Sequence, residues 1–140
     1  MATLNRTGLS RLRRERLTPL AVAGAQAAAG VLREKLSGEG SGRKYPGLPN
    51  RSSSQTEYPA EQSGALRDSI SARADGDGRA VFGPIIDPPV EAGYLHFSTQ
   101  ADIARLHFRP PADGGRPFMD DALEDRDLHQ AVREAMGVKR

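Results

Sequence analysis

Apolar residues are unevenly spread along this chain. Leu17, Leu20, Ala21, Gly24, Ala28, Val31 and Leu32 recur at the 3.6-residue spacing of one helical face. Thr18-Pro19 reads as an N-cap followed by a first-turn proline, and Gly38 supplies a left-handed stop. The pattern predicts an amphipathic helix over residues 18–37. Small residues at Gly24 and Ala28 permit a neighbouring element to approach closely. One longer helix beginning near Gly8 and kinked at Pro19 is the alternative. Before it, residues 1–16 read as an arm, with Leu9 and Leu12 three apart and four arginines around Leu12.

The pattern then changes. Residues 38–62 are dense in Gly and Pro, rich in Ser, Asn and Gln, and nearly free of apolar side chains. Such a stretch cannot offset its own ordering entropy by burial, so we expect a long polar loop that is either functional or disordered, with ordering on a neighbouring subunit open to it. Ser63 reads as the N-cap of a short helix over 64–70, with Leu66 and Ile70 on one face. Residues 71–74 and 79–86 flank Asp75-Gly76-Asp77-Gly78, a hairpin turn signal. Val81 and Ile85 would share a face, and Pro84 marks an edge strand. Pro88-Pro89 breaks the chain. A short helical piece is expected over 92–98, a half-buried strand over 105–109, and a turn at Pro110-Pro111 and Gly114-Gly115.

Pro117 opens the last element. Phe118, Met119, Ala122 and Leu123 share one face, whereas Leu128, Ala131, Val132 and Ala135 share another. Either the helix breaks near residues 124–127, where Asp127 would cap a second helix, or it serves two partners. No internal repeat is present. The fold class expected is α+β: a small antiparallel sheet packed by a long N-terminal helix and a C-terminal helix, with a long polar loop. The organisation expected is a basic arm (1–17), one domain (18–136, with the loop at 38–62) and a short tail (137–140).

Composition narrows the classes. The chain has 140 residues, 37% of them hydrophobic, and neither Cys nor Trp. That excludes a disulfide framework, a thiolate nucleophile and a cysteine zinc site. A chain of this length fits one domain with a thin core, which subunit contacts can supplement. The longest weakly apolar run, residues 19–32, is mostly Ala and falls short of the ~18 residues of a membrane span. We expect a soluble intracellular protein without a signal peptide and without a membrane partner.

Charge changes the picture more. Residues 1–51 carry ten Lys/Arg against three Asp/Glu, a net +7; residues 52–140 carry ten against fifteen, a net −5. This division suits solubility alone, head-to-tail packing between copies, or a basic arm on nucleic acid. Arg11, Arg13, Arg14 and Arg16 are the candidates for contact with DNA phosphates or with an adjoining ring.

Candidate chemistry is sparse. His96, His107 and His129 share no metal-ligand spacing. The run from Gly38 to Lys44 has the wrong glycine spacing for a phosphate loop, and Tyr45 stands where Ser or Thr would hold magnesium. Ser52, Ser53 and Ser54 lack a nucleophile elbow. Asp120, Asp121, Glu124 and Asp125 are explained by the helix dipole and solubility. No catalytic role and no cofactor is expected.

The order of pieces is more specific than any one motif. Glu57, Pro59, Ala60, Ser63, Gly64, Leu66, Ser69 and Ile70 follow the pattern E-x-P-A-x-x-(T/S)-G-x-L-x-x-S-I. Tyr94 opens a second segment, in which His96 stands near the usual acidic position and Ser98 replaces glycine before Thr99. Arg116, Pro117 and Phe118 precede the last helix. Over about residues 17–136 the chain resembles the tail-completion (head–tail connector) family of lambda-like long-tailed phages. The resemblance implies a virion protein, assembled in the host cytoplasm, that forms a ring of six or twelve copies at the neck around the DNA channel. Neighbouring neck and tail proteins would be its partners. Arg43, Lys44, Tyr45, Arg51 and Tyr58 would be candidate intersubunit residues of the polar loop. A small basic nucleic-acid-binding protein using the arginine arm is the alternative.

Overall fold

The computed structural model describes residues 5–54, 56–84 and 118–138. Its elements are helix α1 (Arg6–Leu12), a widened π turn (Arg13–Leu17), helix α2 (Thr18–Lys35), helix α3 (Ala65–Ser69), strands β1 (Ile70–Ala74) and β2 (Ala80–Pro84), and helices α4 (Phe118–Glu124) and α5 (Arg126–Ala135). This is an α+β fold with a two-stranded antiparallel sheet.

The first helix does not begin at Thr18. It runs without interruption from Arg6 to Lys35, closer to the longer alternative. Asn5 is its N-cap, accepting from the Gly8 N–H at 3.1 Å. A proline inside a helix lacks a donor and crowds the carbonyl four residues back. The chain meets this by widening the turn just before Pro19, where the Thr18 N–H reaches the Arg13 carbonyl. Thr18 therefore caps nothing. Its hydroxyl donates to the Arg13 carbonyl at 3.1 Å and accepts from the Gly78 N–H at 2.7 Å, tying the helix to the hairpin turn. The far end stops as expected, with Leu36 as C-cap and Gly38 at φ +110°.

Ala28, Ala29, Leu32 and Leu36 of α2 form the middle of the core, with Leu66, Ile70, Phe118, Ala122 and Leu128 around them. α2 packs against both strands on one side and α5 on another. It can do so because small residues line it: a Cβ on Gly24 would stand 3.1 Å from Met136 and 3.2 Å from Val132. Lys35 meets Asp125 and Asp127 at the opposite end, so α5 runs antiparallel to α2.

The hairpin pairs Ile70 with Pro84 and Ala74 with Ala80, closed by Asp75 N–H donating to the Arg79 carbonyl. Ile70 belongs to the strand rather than to the preceding helix, and the helical cap is Gly64 at φ +79°, not Ser63. Ser63 still helps, its hydroxyl accepting from the Ala65 N–H at 3.3 Å. The C-terminal helices break where the two apolar faces change. Asp125 rather than Asp127 caps α5, accepting from the Asp127 N–H at 2.9 Å. Ile85 and the elements expected over 88–117 lie outside the described residues.

The polar loop, whose order the composition left open, is built within the chain. Gly40 N–H donates to the Arg51 carbonyl, Gly42 N–H to Ser52, and Ser52 N–H to Arg43. The limbs are so close that a Cβ on Gly40 would fall 2.3 Å from the Ser52 carbonyl oxygen. Asn50 and Gln62 bridge reciprocally, and Asn50 Nδ2 also donates to the Glu61 carbonyl at 2.6 Å. Hydrogen bonds thus replace the apolar burial this segment lacks.

Candidate functional site

Polar side chains gather in three places. The first joins the end of α2, the loop and the start of α5. Tyr58 Oη donates to Asp125 Oδ2 at 2.7 Å, and Lys35 Nζ lies 3.0 Å from Asp125 and 2.8 Å from Asp127. The same ammonium stands 5.7 Å from the Tyr58 ring centroid. The hydrogen bond to Asp127 raises the Lys35 ammonium against the opposing effect of burial. Burial alone would raise the Asp125 carboxyl, but hydrogen bonds from Tyr58, Lys35 and the Asp127 N–H hold it below its ordinary value. Burial, then the Asp125 carboxylate, pushes the Tyr58 hydroxyl up. These groups satisfy one another, and none lines either of the clefts described below. They form a clamp that closes the C-terminal helix onto the loop.

The second place is inside the loop. Glu57 accepts from the N–H groups of Ser41 at 3.1 Å and Ser54 at 2.9 Å. Hydrogen bonds from Ser41, with those from Ser54, hold its carboxyl down to about 2. Beside it lies a cleft of about 250 Å³ bounded by Tyr45, Leu48, Pro59 and Leu66. Small-molecule sites commonly occupy ~300–1,000 Å³, so this one suits a side chain better. A hollow of about 610 Å³ along α5 is lined by Arg126, His129, Gln130, Arg133, Glu134 and Val138. All lie on one helix and its exit, so no opposing wall converges on a ligand. Among the described residues no three His, Asp or Glu come together as a metal site.

The third place is the helical limb of residues 6–20, formed by α1, the π turn and the first residues of α2. It carries Arg6, Arg11, Arg13, Arg14 and Arg16 against Glu15, and it contains no buried residue. Arg11 pairs with Glu15 at 2.8 Å, and Arg14 reaches Asp77 at 3.3 Å. Both are exposed pairs of small energetic weight. Leu9, Leu12, Leu17 and Leu20 are 36%, 50%, 45% and 41% exposed. Past Gly24 the helix has left α5 behind, and the described contacts of the limb are with the hairpin turn at Asp77 and Gly78.

The opposite end is the chemical inverse. Asp120, Asp121, Glu124, Asp125 and Asp127 stand against Arg126 over residues 118–127, and Leu123 is 64% exposed between them. At 1.5 Å per residue, the 24 residues from Arg11 to Lys35 separate the two ends by about 36 Å.

The expected site residues fall into separate groups. Arg11, Arg13, Arg14 and Arg16 lie together on the limb, as read from the sequence, but on a helix. Arg43, Lys44, Tyr45 and Arg51 are exposed on the loop. There Arg43 stacks 5.3 Å from the Tyr45 ring centroid, Lys44 donates to the Pro49 carbonyl, and Arg51 pairs with Glu39. Tyr58 is half-buried in the clamp instead. Pro59, Gly64, Leu66, Ser69, Ile70 and Phe118 are buried, and Ala60 is half-buried. These motif positions therefore serve the core and its turns. Tyr94, Arg116 and Pro117 lie outside the described residues. Sequence reasoning missed the clamp role of Lys35 and Asp125, which lie 90 positions apart, and the exposed leucine of the acidic end. Among the described residues no helix is long and apolar enough to cross a membrane. Comparison with protein-family models, with curated proteins and with solved structures gives no match.

Proposed function

We propose that this chain is a structural subunit of a long-tailed phage neck. It would form a ring that joins or closes the head–tail interface around the DNA channel, as a connector, tail-completion or tail-terminator protein. The observation that carries this reading is the polarity of the molecule. A basic limb with four exposed leucines stands at one end, and an acidic surface with an exposed leucine stands at the other. Unlike ends favour head-to-tail contacts, which generate rings when the rotation closes. The motif resemblance supplies the biological setting. Its described positions build core and turns rather than a reactive centre, which suits a structural rather than an enzymatic role.

The test is the mass of the purified protein across concentration, by sedimentation or native mass spectrometry, with electron microscopy of the species found. Closed rings of six or twelve copies are expected. A strict monomer with strong salt-dependent DNA affinity would overturn the reading. It would support instead a small nucleic-acid-binding protein, which the five limb arginines favour as the second reading.

A further inference from the structure

We propose that the limb of one copy (residues 6–20) docks on the acidic surface of the next copy around Asp120, Asp121, Leu123 and Glu124. The inference rests on the ring reading and names the contact that makes it.

Charge complementarity selects the occupant. The limb carries five arginines and one glutamate over residues 6–17; with Asp125 and Asp127 held by Lys35 in the clamp, the acidic surface offers Asp120, Asp121 and Glu124. A net +4 limb therefore faces three carboxylates that lie outside the clamp. Apolar surface is matched as well. Leu9, Leu12, Leu17 and Leu20 are exposed on the limb, and Leu123, the most exposed large hydrophobic among the described residues, stands within the acidic surface. The π turn contributes to the match, because its wider winding carries Leu12 and Leu17, five apart, toward one side. This limb has no buried residue of its own, so its leucines and arginines are open together to a partner surface. Within one copy the two ends are about 36 Å apart along the helix, so the contact must pass between copies. A contact between unlike surfaces repeats from copy to copy.

Cysteine pairing tests this directly, because the chain has no cysteine. A disulfide requires Cα atoms roughly 4.4–6.8 Å apart, which the ends of one copy cannot meet. The variant carrying both L12C and L123C should oxidise to a ladder of dimer, trimer and higher species, whereas L12C alone should remain uncrosslinked. In parallel, R13E with R16E should weaken assembly at least tenfold, as should D121R with E124R. All four substitutions in one chain should restore assembly. Circular dichroism of each variant verifies folding, and wild-type mass is measured alongside. A wild-type ring without a disulfide ladder, or with assembly indifferent to the charge reversals, overturns this interface and leaves the ring reading standing. L12C dimers without a ladder overturn it in favour of a limb-to-limb contact. Loss of DNA affinity in R13E with R16E while assembly is unchanged assigns the limb to nucleic acid and overturns it too. A wild-type monomer at all concentrations removes the ring reading and the interface with it.

Discussion

The two halves of the first helix use the same residue types to opposite ends. In the C-terminal half Leu32 and Leu36 are 0% and 2% exposed; in the N-terminal half Leu12 and Leu20 are 50% and 41% exposed. Helix propensity does not separate them. What separates them is the company each leucine keeps. Gly24, Ala25, Ala28 and Ala29 let α5 and the hairpin close on one half, whereas arginines surround the leucines of the other. The C-terminal half is spent on the core of this chain, and the N-terminal half keeps its leucines exposed.

The sharpest way to break this comparison is the same truncation on each half. Leu32→Ala should destabilise by about 2–5 kcal/mol, since the lost side chain leaves a cavity in a packed core. Urea denaturation measures it, and a loss below about 1 kcal/mol would show that the core there is loose. Next in size is Gly40→Ala in the polar loop. Its Cβ would press on the Ser52 backbone, so a cost of about 1–3 kcal/mol is expected. Faster amide exchange at Gly42 and Ser52 should accompany it. Gly30→Ala should act in the other direction. Nothing lies within 4 Å of its Cβ position, so about 0.5–1 kcal/mol of helix propensity should be gained. A loss would show that the helix needs the glycine. Leu12→Ala should change the stability of a dissociated copy by less than about 0.5 kcal/mol, while weakening assembly.

The smallest effect sharpens the contrast between core and loop. Glu57 is held at about 2, below its ordinary 4.5. A depressed carboxyl contributes its stability above the unfolded value and loses it as pH falls. Exchange protection at the Ser41 and Ser54 N–H groups should therefore fade between about pH 4.5 and 2, with α2 amides unaffected. Protection that persists to pH 2 would show that the loop stands without Glu57.

Several elements were legible in the chain. The hairpin followed from Asp75-Gly76-Asp77-Gly78 between two extended runs, and the break before the last helix from a change of apolar face. The start of the first helix was not legible. Thr18-Pro19 is a sound N-terminal signal locally, but a π turn and a hydrogen bond to Gly78, 60 residues on, absorb both residues into the helix. The glycines at 40 and 42 resembled an incomplete phosphate loop, and their close approach to residues 51–53 is a partner that local spacing does not show. The arginine cluster and its neighbours Leu9 and Leu12 were visible as a candidate arm, but their place on a helix continuous with α2 was offered only as an alternative.

Local patterns by themselves determined the hairpin, the α+β class and the division of charge into a basic front and an acidic back. These depend on spacings of a few residues, which sequence records directly. Only the tertiary structure decided which leucines are covered, that Asp125 rather than Asp127 caps the last helix, and that Lys35 and Tyr58 clamp it. It also decided that the basic and acidic segments stand at opposite ends of the first helix. Each depends on contacts between positions tens of residues apart, where the free energy of burial and of paired charges is set by what the fold brings near.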